Sequence, residues 1–216
     1  MTLQQTITYC FIKPVGTKNQ QNKVKEVIKE WESYVNVKFK FLSGRNATIR
    51  IAFEEDEGSW SYIARDIEGI PPREATMNLG WIDTGPEITE EDRGVILHEF
   101  GHSLGYLHEH QSSRRSEKIT LDEAGKFLSF AAHRCSLDFL RAAVTEFYMR
   151  TQKWSKEEVR QQILDVYDDH EVSSFSSIDL TSIMMYANLH FSGIISILID
   201  LHFQVLYAQG DEPRAN

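Results

Sequence analysis

From Thr6 to Ile12 the chain alternates, with Ile7, Tyr9 and Phe11 on one side and threonines and a cysteine on the other. That period of two predicts a strand with one apolar face, and Pro14 and Gly16 close it. The period then changes. Val24, Val27, Ile28, Trp31 and Val35 recur at helical spacing, with lysines and glutamates between them, which predicts an amphipathic helix over Lys23 to Val35. Two more alternating runs follow, Val37-Phe39-Phe41 and Ile49-Ile51-Phe53, with the turn residues Ser43, Gly44 and Asn46 between them. The segments GSWSYIARD and ATMNLGWID read as further short strands, separated by the Gly69 to Pro72 break. Strand, helix and then several strands predict a sheet with a helix packed on it.

The next pattern is set by its ends. Thr89 is a candidate N-cap, and Glu90, Glu91 and Asp92 fill the first turn, where the helix dipole favours negative charge. The helix is expected to run to about Leu104 and stop at Gly105, which can take the left-handed conformation of a helix C-terminus. Leu121 to Thr151 is helix-like. Ser155 and Glu158 form a capping box that predicts another helix through Tyr167, with Val159, Ile163 and Val166 inward.

Composition narrows the function classes. The 216 residues, 41% hydrophobic, can bury one core of upper-middle size. A net charge of -9 with scattered basic residues argues against a phosphate-binding face, so no nucleic-acid partner is expected. The only membrane candidate, Leu189 to Tyr207, has a continuous apolar core of Ile194 to Ile199, far short of the about 20 residues a span needs. No membrane partner is expected, and the first residues show no signal-peptide pattern. Cys10 and Cys135 can form at most one disulfide; two buried thiols is the simpler expectation.

The chemistry concentrates in HEFGHSLGYLHEH, His98 to His110. Histidines four apart on a helix share a face, so His98 and His102 can reach one metal ion. Glu99, beside the first of them, is placed to take a proton from water activated there. Gly105 lets the chain turn so that His108 returns as a third nitrogen ligand. Three protein ligands leave zinc's fourth position open, the arrangement of a catalytic site. Farther on, SIMMY (Ser182 to Tyr186) offers a thioether as an apolar floor and a phenol as an oxyanion donor. His110, His133, His170, His190 and His202 have no partner at ligand spacing and are expected to be structural or exposed.

These two motifs together resemble the metzincin metalloproteases, and within them the astacin family. Glu109 after the third histidine and the Ser-Ile-Met-x-Tyr turn point to astacins, and TITYCF, NATIRIAF, GSWSYI and ATMNLG resemble upstream strands of the family's microbial branch. The resemblance covers Ile7 to about Gln111 and Trp154 to Tyr186. It implies one catalytic zinc ion on His98, His102 and His108, Glu99 as catalytic base and Met184 as the Met-turn residue. It implies Tyr186 as a tyrosine that ligates zinc at rest and then stabilises the tetrahedral intermediate. Met185 stands where the family usually has histidine, and Glu109 is expected to be a surface carboxylate.

The resulting expectation is an α/β (α+β) zincin-like catalytic domain in two lobes. The upper lobe, 1–105, would hold a twisted mixed sheet and the active-site helix; an irregular helical lobe, 106–216, would lie below the zinc cleft. Residues 125–146 read as a possible insertion, and 188–216 have no assigned role. The expected function is zinc-dependent hydrolysis of peptide or protein substrates by a monomer, and the resemblance suggests secretion. The substrate would pair with an exposed edge strand, Thr76 to Trp81 being the candidate. The alternatives are an inactive zinc-binding or protein-interaction module on the same fold, and a zinc hydrolase of small amides.

Overall fold

A computed structural model of the chain describes residues 4–44, 46–113 and 153–167, together with 141, 142, 145, 146, 148–150, 172, 179 and 182–185. Its centre is a five-stranded sheet in the order β2-β1-β3-β5-β4. The strands are β1 (Gln5–Phe11), β2 (Val37–Phe41), β3 (Ile49–Ala52), β4 (Ser59–Ser61) and β5 (Met77–Leu79). β1 pairs in parallel with β2 and β3, β3 in parallel with β5, and β4 runs antiparallel to β5. The fold is therefore mixed α/β, with the long connections that parallel pairs need supplied by a helix and loops.

All four residues of β3 are buried, because a strand inside a parallel region is covered on both faces. Ile49 and Ile51 join Tyr9, Met77 and Leu79 on the face that meets the helices. On the other face Arg50 donates from Nε to Glu74 O at 2.8 Å and from Nη2 to Ile70 O at 3.0 Å, beside a small cluster of Cys10, Ile12, Ala47 and Ala52. A buried guanidinium is tolerated here because carbonyl oxygens satisfy its donors.

Helix α1 (Lys18–Val27) begins five residues before the expected Lys23. The apolar stripe starts late, but Thr17 caps the helix: its hydroxyl accepts from Gln20 N, while the Gln20 side chain accepts from Thr17 N. The predicted Val35 end is also corrected, since Ile28–Ser33 tightens into a 3₁₀ turn that carries Ile28 and Trp31 into the core. Helix α2 (Glu90–Leu104) starts at a Thr89–Asp92 capping box and ends on Gly105. Phe100, on its inner face, meets Phe39 edge-to-face at 5.3 Å between centroids and Tyr9 at 6.4 Å. Burial of such a ring contributes on the order of 1.5–3 kcal/mol. α2 thus lies over the sheet with eleven buried residues, five of them polar or charged: Asp92, His98, Glu99, His102 and Ser103. So many buried polar groups on one helix mark it as the carrier of the site rather than of packing alone.

Two further corrections concern the edge and the later helix. Thr76 to Trp81 is not the sheet edge: β5 lies inside, and β4 folds back antiparallel to cover it and end the sheet. The Ser155 capping box forms as expected, but the helix Lys156–Val159 widens into a π-turn at Arg160–Leu164 and stops, so Val166 is exposed and only Val159 and Ile163 are buried. Of the Leu121 to Thr151 stretch, the described positions from 141 to 150 are helical; the rest, Cys135, His133, His170, Tyr186 and the Leu189 to Tyr207 run lie outside the described residues. Among the described residues no helix is long and apolar enough to cross a membrane.

Candidate metal centre

α2 brings His98 and His102 to one face, one turn apart. Past Leu104 the chain makes a Schellman turn: Gly105 takes φ 100, its N–H donates to His102 O at 2.8 Å, and Tyr106 N donates to Gly101 O at 3.0 Å. This reversal returns His108 against the helix. One ligand atom from each of His98, His102 and His108 lies within 4.8 Å of the other two, and all three residues are buried.

The tautomers are fixed by oxygen acceptors. His98 Nδ1 donates to Ile183 O at 2.8 Å, His102 Nδ1 to Tyr106 O at 2.8 Å, and His108 Nδ1 to Gln111 Oε1 at 2.9 Å. Each Nε2 therefore carries a lone pair. Nε2 of His102 and of His108 lie only 3.2 Å apart, where two lone pairs repel unless a cation sits between them. Zinc–nitrogen bonds of about 2.0–2.1 Å at a tetrahedral angle put ligand nitrogens roughly 3.3 Å apart. The donor set fits a zinc ion, and its outer hydrogen bonds are of the kind that orient metal-binding histidines.

Electrostatics keep these imidazoles neutral. Burial first, then the neighbouring His108, lowers His98 to about 3. Burial, then His108 and His98, holds His102 well below its ordinary range. Burial brings His108 to about 4, although its bond to Gln111 works the other way. Glu99 is 4% exposed and burial pushes its carboxyl up to about 8. Its Oε2 has no hydrogen-bond partner among the described residues. A buried carboxylate oxygen left without a donor is costly in a purely structural role.

Met184 is 3% exposed and packs its Sδ into the space that a side chain on Gly101 would fill. Its carbonyl accepts from Glu109 N at 3.0 Å, so the SIMMY segment is tied to the residue after the third histidine. Glu109 itself is not a surface carboxylate. It is half-buried, its Oε1 accepts from Asp179 N at 3.0 Å, and burial raises its carboxyl, with that bond opposing and the Asp179 charge adding. His110 is buried with Nε2 donating to Gln162 O at 2.8 Å, a structural role.

The histidines and Glu99 open into a cavity of about 580 Å³. One wall is Glu55 to Ser61, ending in β4, and the other is Lys153, Trp154, Glu158 and Gln162. Asn78 builds the first wall from below: its Oδ1 accepts from Glu54 N at 2.8 Å and its Nδ2 donates to Glu54 O at 2.8 Å and Gly58 O at 2.5 Å. Ser61 Oγ lies 3.1 Å from Ser103 Oγ, linking the edge strand to the helix beside His102. Neither Gln111 nor the π-turn wall was singled out from the sequence. The position of Gln111, three residues past His108, was the available signal.

Residues 3–125 match the peptidase family described as Astacin. Protein SpAN of Strongylocentrotus purpuratus is 25% identical over 127 residues; the match takes in 55% of this chain and 19% of SpAN, so the chain spans about a fifth of that relative. Among solved structures, one titled "Structure of myroilysin" superposes with a TM-score of 0.66 at 28% identity, covering 86% of this chain and 79% of that one. A second, "Crystal structure of myroilysin", gives 0.56 at 27% identity, covering 86% and 71%.

Proposed function

The chain belongs to the astacin family of peptidases, and on that premise we propose that it is a zinc-dependent metalloendopeptidase acting on extended peptide or protein segments. The observation that carries the reading is the convergence of three buried imidazoles, each with its Nδ1 proton committed to an oxygen, next to a buried Glu99 oxygen with no donor among the described residues. Zinc held by His98, His102 and His108 supplies, when bound, an acidified water and a Lewis-acid centre for the scissile carbonyl. Glu99 is the general base: it takes the proton of the attacking water and returns it to the leaving amide nitrogen. Its burial raises its proton affinity, which suits a group that must both take and return a proton.

The outer edge of β4 is the docking rail, because the last strand of a sheet offers main-chain donors and acceptors to an extended peptide. Trp60, Trp81 and Trp154 line the cleft with apolar surface. Met184 forms the floor beneath the histidines, its thioether filling space against α2. Tyr186, outside the described residues, is the proposed oxyanion donor on the strength of the family resemblance.

The test is Glu99→Gln measured for bound zinc and for cleavage of an unfolded protein in the same preparation. Near-stoichiometric zinc with cleavage reduced about 100- to 10,000-fold is expected, the range for losing a positioned base. Full activity, or loss of the metal, overturns the assignment. Wild-type protein that holds zinc and cuts nothing would identify the inactive module instead.

A further inference from the structure

We propose that Gln111 is the positioning residue that sets the tautomer of His108, and that the π-turn at Arg160–Leu164 holds Gln111 in register. The inference rests on the reading of His98, His102 and His108 as a metal site. The three histidines are not held alike. His98 and His102 donate to main-chain carbonyls, of Ile183 and Tyr106, which no substitution at those positions removes. His108 donates to a side chain. It is the one imidazole of the three whose Nδ1 partner a substitution can delete.

Local geometry brings the pair together. Glu109–Gln111 forms a 3₁₀ turn in which Gln111 N donates to His108 O at 3.0 Å, and a residue three positions on returns above the first. Gln111 is 3% exposed. Its amide cannot be turned around: Nε2 donates to Gln161 O at 2.5 Å and Asp165 O at 3.3 Å, both pure acceptors. With the NH₂ group committed to two carbonyls, Oε1 must face His108 and the imidazole proton must sit on Nδ1. Nε2 then keeps its lone pair for the metal.

The π-turn makes those carbonyls available. Asp165 N donates to Arg160 O at 2.8 Å, a five-residue step, and the helix ends there, so the carbonyls of Gln161 and Gln162 have no later helical N–H to meet. Gln161 O accepts from Gln111 and Gln162 O from His110. The main chain completes the clamp, Tyr167 N donating to Gln111 O at 2.9 Å. Buried Val159 and Ile163 seat the turn. The same segment presents Glu158 and Gln162 to the cleft. One amide therefore joins the cleft wall to the third histidine.

The experiment uses the full chain with Gln111→Met, which keeps length and removes both hydrogen-bonding groups, and Gln111→Glu, which keeps an oxygen acceptor for His108 but sets a second oxygen, in place of the NH₂ group, against the carbonyls of Gln161 and Asp165. Zinc affinity is read by competition with a chromophoric chelator. Long-range ¹H–¹⁵N spectra of the imidazoles in metal-free protein report each tautomer. Gln111→Met is expected to weaken zinc about 10- to 100-fold and to give His108 a mixture of tautomers, with His98 and His102 unchanged. Gln111→Glu is expected to keep His108 on the Nδ1 tautomer but to lower the thermal unfolding temperature, because its second oxygen repels the two carbonyls that the NH₂ group met. Wild-type zinc affinity with an unchanged His108 tautomer in Gln111→Met overturns the proposal, as does a Gln111→Glu protein of wild-type thermal stability, which would show that the two carbonyls do not hold the side chain. If Gln111→Met does not fold, wild-type spectra showing His108 protonated on Nε2 overturn it, and the Nδ1 form in wild type and in a less stable Gln111→Glu supports it. A wild-type chain that binds no zinc defeats the metal-site reading separately, because the tautomer measurement needs no metal.

Discussion

Gly101 sits between the two helical histidines, and what it lacks matters as much as what they carry. A Cβ built there would lie 2.5 Å from Met184 Sδ and 3.4 Å from Trp31 Cζ2. Met184 has little room to yield, since its side chain is buried and its backbone is held by Met184 N donating to Ser182 Oγ and its carbonyl accepting from Glu109 N. The carbonyl one residue before it, Ile183 O, is the acceptor for His98. Gly101→Ala gains about 1 kcal/mol of helix propensity and loses roughly 1–3 kcal/mol to overpacking. The expected net is a loss of about 1 kcal/mol in urea unfolding at fixed chelator concentration. A variant more stable than wild type would mean that the thioether shifts at no cost.

At the scale of elements, the end of α2 decides where the third histidine goes. Gly105 holds φ 100 and ψ 9, a region where an L-residue costs about 1–2 kcal/mol. The turn also aims Tyr106 O at His102 Nδ1, so one backbone reversal fixes a tautomer and returns the chain toward His108. Gly105→Ala is therefore expected to destabilise by about that amount and to weaken zinc binding as well. Chelator competition alongside thermal unfolding checks both; lost stability with unchanged zinc affinity would show that the turn is only a cap. The start of α1 follows the same local logic. Its apolar stripe begins at Val24, but the first turn is capped at Thr17 and packed with polar residues, so hydrophobic period alone places the helix too late. The Thr-x-x-Gln spacing at Thr17 to Gln20 was the legible signal.

For the molecule as a whole, α1 and α2 are joined by a buried ion pair. Lys23 Nζ donates to Asp92 Oδ2 at 2.8 Å and to Asp83 O at 2.9 Å, with the lysine 1% and the aspartate 2% exposed. Burial alone would raise the Asp92 carboxyl, but hydrogen bonds from Lys23, Asp83 N and Thr89 outweigh it and lower the pKa. A depressed folded pKa means stability that is fully present above the ordinary carboxylate range, about 3.9, and lost as pH falls through the folded value. Asp92→Asn removes that dependence and, among the described residues, leaves the buried lysine with only the exposed Asp83 carboxylate at 3.7 Å, at a cost on the order of 3 kcal/mol. The difference in unfolding free energy between wild type and Asp92→Asn, at matched metal content, should be largest above about pH 5 and shrink toward acid. A difference that stays constant down to about pH 2 would remove Asp92 as its source.

The sequence by itself determined the parts whose cause is local. Caps at both ends define α2, the four-residue spacing of His98 and His102 is a property of any helix, and the glycine at 105 announces the reversal toward His108. Alternation located β1, β2 and β3, because a strand's faces are written in its own residues, and the short runs GSWSYIARD and ATMNLGWID held β4 and β5. Only the tertiary structure decided what depends on segments far apart in the chain. Sheet order comes from pairing between distant strands, so β4 rather than Thr76 to Trp81 became the edge. Glu109 is half-buried because Asp179 and Met184 pack against its turn, seventy and more positions downstream. Gln111 matters only because carbonyls of Gln161 and Asp165, some fifty residues on, fix which way its amide points. No pattern along a single segment encodes such contacts, since their energy comes from desolvating groups that meet only after the chain has folded.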